Sequence, residues 1–176
     1  MAHRAYRDFA AYNEWANCRL YDAASALDDA AYRADHGAFC GSVHATLNHL
    51  LVTDRIWIDR FDSLDCAQPA LTAILFEDFS SLRMARVAED SRLRGFIKAL
   101  SADDLARDIS YANSSGARFT HSLASALDHL FNHQTHHRGQ IHCLLTRIGG
   151  PAAAPSLDMI LFQRERMARA GETAAG

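Results

Sequence analysis

Histidine is the residue type that gives this chain its clearest chemical potential. There are 10 histidines in 176 residues, and six of them lie between positions 121 and 142. The same segment carries apolar residues at helical spacing, which distinguishes it from a purification tag. Residues four apart lie on one face of a helix, so His133 and His137 can direct ring nitrogens to one ion. His129 lies one turn earlier on that face, whereas His136 is offset and is expected to point elsewhere.

A third ligand is expected from another helix, because two ligands rarely hold a metal ion and sites in helical bundles draw side chains from facing helices. His49 is the best candidate, since it lies in an apolar helical segment where a lone imidazole would need a partner. His44, five residues earlier, faces differently. Three histidines with an open fourth position are the arrangement of catalytic zinc, which activates a bound water. Neutral imidazole also suits nickel, copper and iron, so the pattern does not select the metal.

Other metal and catalytic motifs are missing from the sequence. A di-iron site needs Glu-x-x-His pairs, and none of the five glutamates has a histidine three residues later. The zinc-protease motif HExxH, the phosphate-binding glycine loops and the GxSxG motif of serine hydrolases are also absent. The four cysteines are far apart and form no CxxC pair, which predicts scattered reduced thiols that act as small hydrophobic residues (Cys18, Cys40, Cys66 and Cys143).

Composition and charge indicate a globular protein that binds neither nucleic acid nor membranes. Apolar residues make up 49% of the chain and charged residues 22%, with only three prolines. The formal net charge is −3, without the basic excess that is typical of nucleic-acid or anionic-lipid binders. We find neither a signal peptide nor an apolar stretch long enough to span a membrane, so we expect a cytoplasmic protein.

Apolar spacing predicts an all-α fold in which four long helices form a bundle within a single domain, residues 1–176. The helices are expected at about 5–27, 42–61, 80–100 and 121–148. Ser42 can cap the second helix, and Gly149-Gly150-Pro151 should end the fourth. A short β-hairpin is predicted at 108–120. The segments 28–37 and 62–78 are expected to be connections, the second long enough to cross the bundle. The apolar run 157–162 could pack on the bundle or on a partner.

Three separate motifs and a segment of the tail resemble the DinB/YfiT-like superfamily. The segment HQTHHRGQ at 133–140 is similar to the HxxxHRGQ signature of that superfamily. The stretch Ala45–Leu50, followed by Asp54 and Trp57, resembles its earlier histidine motif. The first-helix pattern at 12–17 and the tail Ser-Leu-Asp at 156–158 also match. The resemblance extends over about residues 5–165.

This resemblance implies a four-helix bundle, often homodimeric, with a divalent metal ion on His49, His133 and His137. The ion would be zinc, nickel or iron. Members with an assigned activity are S-transferases or isomerases that use mycothiol, bacillithiol or glutathione on a small-molecule substrate. The metal would bind the cofactor thiol and hold it as the thiolate, which is the nucleophile. The family name reflects induction by DNA damage and does not imply DNA binding.

Two alternatives stay open beside thiol transfer. The same open site could activate water for hydrolysis, although acidic residues that could act as a general base are sparse near the histidines. The chain could also be a non-catalytic metal-binding protein of a stress response, in which case a protein side chain would fill the fourth coordination position.

Several neighbours of the histidines are expected to have structural roles. Arg138 should point away from the metal and form a salt bridge between helices, and Asp54 is expected to form another. Gln140 is expected to support a ligand. Trp15 and Trp57 are expected to belong to the core or to a pocket wall.

Overall fold

The computed structural model describes residues 2–64, 67–113 and 115–174. Cys66 and Ser114, for which a reduced thiol and a hairpin turn are predicted, lie outside the described residues. In chain order the elements are α1 (Ala2–Ala24), α2 (Asp29–Arg33), α3 (Val43–Phe61), α4 (Phe79–Ala99), a 3₁₀ turn (Asp104–Ala106), β1 (Asp108–Ala112), β2 (Arg118–Ser122), α5 (Leu123–Gly149), a second 3₁₀ turn (Pro151–Ala153) and α6 (Met159–Ala174). The all-α architecture with a short hairpin is as predicted.

Side-chain caps begin three of the four long helices, α3, α4 and α5. The Ser42 hydroxyl accepts a hydrogen bond from the backbone N–H of Ala45 at 3.0 Å, which confirms the predicted cap of α3. The Asp78 carboxylate does the same for α4. Helix α5 ends at Gly149, as predicted, and Gly150 then takes a φ of +79° before the proline.

Two local predictions need correction, and the tail takes one of its two expected positions. The segment 28–37 contains the short helix α2, which Asp28 caps by accepting from Ala31 N–H at 2.7 Å. Helix α5 begins at Leu123 and not at His121, because residues 118–122 stay extended and pair with β1 in an antiparallel register. The charged tail after residue 158 forms a helix, α6, that packs on α1 through Phe162, Tyr12 and Trp15. The apolar tail was expected to pack either on the bundle or on a partner. In the structure it packs on the bundle of its own chain.

The four long helices pack so that α1 lies against α4 and α5, and α3 lies against the same two helices. One core cluster joins the start of α1 and of α5 to the ends of α3 and α4 (Tyr6, Leu123, Phe61 and Ile97). A second joins the opposite ends (Tyr21, Leu145, Val43 and Leu82). Helices α3 and α4 are therefore parallel, so the connection 62–78, which we call the crossing segment, runs back along the bundle. The sequence predicts a connection long enough to cross the bundle, and the parallel packing of α3 and α4 confirms that it does.

In the part of the chain that the structure describes, no helix is both long and apolar enough to cross a bilayer.

Candidate metal centre

The structure brings the three predicted ligands together where α3 faces α5. The ring centroid of His137 lies 4.5 Å from that of His49 and 4.4 Å from that of His133. The His49 and His133 centroids are 5.3 Å apart. His49 and His137 are buried and His133 is half-buried. We call these three side chains the imidazole cluster.

His49 presents one ring nitrogen to the cluster. Its Nδ1 lies 2.8 Å from the backbone oxygen of Leu71 in the crossing segment. A carbonyl oxygen can only accept, so Nδ1 carries the proton and Nε2 keeps its lone pair. That Nε2 is buried and has no hydrogen-bond partner among the described residues. A buried polar atom without a partner is costly, and a metal ion would satisfy it.

The other two rings are also held in the neutral form that a metal needs. Gln140 lies one turn after His137, and its side-chain oxygen is 2.8 Å from His137 Nδ1. This contact, predicted for Gln140, leaves Nε2 of His137 available as a ligand. Burial, with the neighbouring histidines as a smaller cause, lowers the pKa of His133 to about 3. Burial likewise lowers the pKa of His137 to about 4, so protons compete weakly for both rings.

A fourth donor, Cys40, lies beside the imidazole cluster. The ligand atoms of Cys40, His49 and His137 all lie within 4.8 Å of one another. His133 lies outside this three-residue group, although its ring is adjacent to both histidines. Cys40 is a free thiol, as predicted, but its place beside two histidines differs from the predicted role of a small hydrophobic residue. Cys40 precedes Ser42, the N-cap of α3, by two residues, and α3 carries His49. This proximity in the chain is the only feature of the sequence that points to a place for Cys40 near His49.

The donor set fits a divalent metal ion. Imidazole nitrogens and a thiolate sulfur are the ligands that zinc prefers, and two ligands of one zinc ion lie at most about 4 Å apart. The described group is within 4.8 Å, so small side-chain rotations would close it around an ion. The residues present therefore fit the ion that the resemblance implies.

The remaining histidines of interest serve other contacts. His129 packs against Trp57, with ring centroids 4.9 Å apart. His44 contacts the backbone oxygen of Phe76 at 3.1 Å, and exposed His136 contacts Gln140. The different directions expected for His44 and His136 are confirmed.

All four long helices contribute to a buried polar network that includes Arg138, the residue after His137. Asp54 on α3 pairs with Arg86 on α4 at 2.7 Å, which confirms the predicted interhelix salt bridge. Arg86 also pairs with Asp90 at 3.0 Å. Asn13 of α1 donates to Asp90 at 3.2 Å and accepts from Arg138 of α5. We call these five side chains the polar network.

Arg138 joins helices by a different contact from the one predicted. Its guanidinium points towards α1 and donates to the amide oxygen of Asn13, with further contacts to Gln134 and Thr135 on its own helix. The predicted orientation holds, but the expected salt bridge is replaced by a hydrogen bond to a neutral amide. The nearby carboxylates of the network are already paired with Arg86.

The two tryptophans have the structural roles predicted for them. Trp57 packs at the edge of the first core cluster. Trp15 donates to Glu165 at 2.9 Å and packs against Phe162, which attaches α6 to α1.

Comparison with known proteins identifies the family. The family model described as "DinB family" matches residues 1–169. The chain is also similar to "Protein DinB" of Bacillus subtilis (strain 168), with 24% identity over 155 residues that span 86% of this chain and 90% of that protein. With its helical bundle, its hairpin and a His/Cys cluster able to hold a metal ion, this chain belongs to the DinB family.

Proposed function

We propose that this protein binds one divalent metal ion through His49, His133 and His137 and uses it to transfer the sulfur of a low-molecular-weight thiol to a small electrophile. The thiol would be of the mycothiol, bacillithiol or glutathione type. A bound ion would supply the positive charge that keeps such a thiol deprotonated at neutral pH.

The observation that carries the proposal is the buried Nε2 of His49, which has no hydrogen-bond partner among the described residues and lies beside two neutral imidazoles. Two of these rings are oriented by hydrogen bonds at Nδ1, the nitrogen that faces away from the cluster. The Leu71 carbonyl oxygen contacts His49, and the Gln140 side-chain oxygen contacts His137. Such contacts fix the tautomer and the orientation of a ligand before the ion arrives. The described donor group contains no carboxylate that could act as a general base for hydrolysis.

Apolar side chains around the site favour a substrate with an apolar part. Phe39 is 79% exposed, and its ring lies 6.0 Å from that of His137 and 6.3 Å from that of His49. Leu71, whose carbonyl contacts His49, is 51% exposed. Exposed apolar side chains beside a polar centre are typical of a binding site for small molecules.

One observation favours a second candidate, a non-catalytic metal-binding protein. The Cys40 sulfur lies within 4.8 Å of a ring nitrogen of His49 and of His137. Together with His133, Cys40 could therefore complete a site with four protein ligands. Structural zinc sites have four protein ligands, whereas catalytic sites keep an open position.

The test is a thiol-transfer assay on metal-loaded protein, with a panel of low-molecular-weight thiols and an activated aryl halide. We expect His133→Ala to lose both metal and transfer. His142→Ala, on the same helix but outside the imidazole cluster, should keep both. Retention of metal and transfer by His133→Ala would refute the proposal. Turnover of esters or amides without thiol would favour hydrolysis, and bound metal without turnover would favour the non-catalytic candidate.

A further inference from the structure

The loop that carries Cys40 is held rigidly beside the imidazole cluster. Residues 34–42, the Cys40 loop, close a tight turn in which Gly41 N–H donates to the Ala38 oxygen at 2.8 Å. His36 N–H donates to the Gly41 oxygen at 2.9 Å. Gly41 has a φ of +80°, which favours glycine, and Ser42 passes directly into the cap of α3. The position of Cys40 is therefore tied to the helix that carries His49.

Two independent observations direct Cys40 towards an ion. Its sulfur lies within 4.8 Å of a ring nitrogen of His49 and of His137. The His49 side chain is only 6% exposed, and its Nε2 is without a hydrogen-bond partner in the described structure. Cys40 is half-buried, and its sulfur lies where one ion could be shared with the ring nitrogens of both histidines.

We propose that Cys40 is a fourth ligand to the ion and that an incoming thiol displaces it. This inference rests on the proposed metal site and adds a resting state in which three imidazoles and the Cys40 thiolate complete the coordination. The substrate class that opens the site is a low-molecular-weight thiol, because only another sulfur donor replaces a thiolate ligand on equal terms.

The exchange balances without an oxidant or reductant. The incoming thiol gives its proton to the Cys40 sulfur, and its own sulfur takes the vacated ligand position. One metal–sulfur bond breaks and one forms, so the charge around the ion does not change. After transfer, the leaving group of the electrophile would depart as an anion, and the Cys40 thiol would release its proton to the solvent and return to the ion as the thiolate, so that protons and charge balance.

Cobalt(II) is the probe for the ligand itself, because a thiolate on cobalt gives a sulfur-to-metal charge-transfer absorption in the near ultraviolet. We expect the cobalt form of the natural protein to show this band, Cys40→Ser to lose it, and Cys143→Ser, an exposed position on the same helix as His137, to keep it. Metal affinity should fall roughly tenfold or more in Cys40→Ser. Circular dichroism of the three proteins shows whether the fold is intact.

The outcomes separate this inference from the proposed function. If the natural protein binds no cobalt, the proposed metal site itself fails. If it binds cobalt without a sulfur band, or if folded Cys40→Ser keeps the band, the metal site stands and the role of Cys40 is overturned.

X-ray absorption of the zinc form tests displacement. Zinc–sulfur distances are about 2.3 Å and zinc–nitrogen distances about 2.0–2.1 Å, so the number of sulfur ligands can be counted. With 2-mercaptoethanol as the probe, we expect Cys40→Ser to go from no sulfur ligand to one. A rise from one to two sulfur ligands in the natural protein would show that Cys40 stays bound and would contradict displacement. With the selenium analogue of 2-mercaptoethanol, we expect the natural protein to exchange its one sulfur ligand for one selenium ligand, and an unchanged sulfur ligand without selenium would contradict displacement.

Discussion

His49 places its Nε2 in the interior of the site, where no described group forms a hydrogen bond with it. His133 and His137 lie beside it with pKa values lowered to about 3 and about 4. At the residue scale, His133 and His137 are therefore prepared to donate lone pairs and not to carry charge. Keeping these histidines neutral should lower the stability of the metal-free protein at acidic pH.

The metal-free protein should lose stability as the pH falls. A histidine in the unfolded chain takes up a proton near pH 6.5, whereas folded His133 and His137 stay neutral down to about pH 4. Between these values the unfolded state binds more protons, so the free energy of unfolding falls with decreasing pH. Urea unfolding at pH 7 and pH 5 measures this change.

The variant His133→Gln isolates one contribution to this loss, because glutamine does not titrate. The stability difference between pH 7 and pH 5 should be smaller in His133→Gln than in the natural protein. An equal difference in the two proteins would show that His133 is not held neutral by the fold.

Spacing on one helix was enough to predict that His133 and His137 share a face. His49 came from a buried-histidine argument and from the resemblance. Cys40 could not be predicted, because its place depends on the turn of the Cys40 loop and not on a periodic pattern.

At the scale of elements, the crossing segment is fixed next to the site by Asn48. The Asn48 side-chain oxygen accepts from the backbone N–H groups of Leu75 and Phe76 at 2.9 and 3.0 Å. Its amide nitrogen donates to the Phe76 oxygen at 3.2 Å. Asn48 precedes His49, and the same segment supplies the Leu71 carbonyl that orients the His49 ring.

The variant Asn48→Ala should therefore weaken both the fold and the site. It removes a buried side chain and leaves backbone groups of the crossing segment without partners, which should lower the free energy of unfolding by about 2–3 kcal/mol. Metal affinity should also fall, because the carbonyl that orients His49 is no longer fixed. Urea unfolding and metal titration measure the two effects.

Asn132→Ala provides the comparison, because Asn132 is exposed on α5. It should change neither property appreciably. Asn48→Ala with natural stability and natural metal affinity would show that the crossing segment is held by other contacts.

The long helices were predictable because apolar periodicity and caps act locally. Helix α2 and the start of α5 were not, since both depend on pairing and packing of short segments. Residues 118–122 are extended because β1 pairs with them, and no pattern within the segment itself shows where that pairing stops.

At the scale of the whole molecule, the polar network (Asn13, Asp54, Arg86, Asp90 and Arg138) joins the four long helices. Arg86 and both of its carboxylate partners are almost completely buried. Buried charges specify how helices pair, because any other arrangement leaves a charge without a partner. Arg138 follows His137 directly, so the network also fixes the helix that carries two proposed ligands.

Replacing the central cation should destabilise the whole bundle. Arg86→Met leaves Asp54 and Asp90 buried without their cation, and the expected loss is about 3–5 kcal/mol in the free energy of unfolding. Urea unfolding monitored by circular dichroism measures the loss.

Arg94→Met is the matched control, since Arg94 lies on the same helix and pairs with Glu14 in an exposed ion pair. That change should cost less than about 1 kcal/mol. Equal effects of the two substitutions would contradict the role given to the polar network.

The predicted homodimer is also a property of this scale, and it stays a prediction that sedimentation of the purified protein would test. The salt bridge of Asp54 could be expected from an acidic residue within an apolar stretch of helix. Its partner could not, because the parallel packing of α3 and α4 sets the pairing.

Metal stoichiometry of the purified protein tests the central claim most directly. Elemental analysis after stripping with a chelator and reloading with zinc should give one ion per chain for the natural protein and for His142→Ala. It should give much less than one for His49→Ala, His133→Ala and His137→Ala. A reloaded natural protein without metal, or full occupancy in the three cluster variants, would contradict the account.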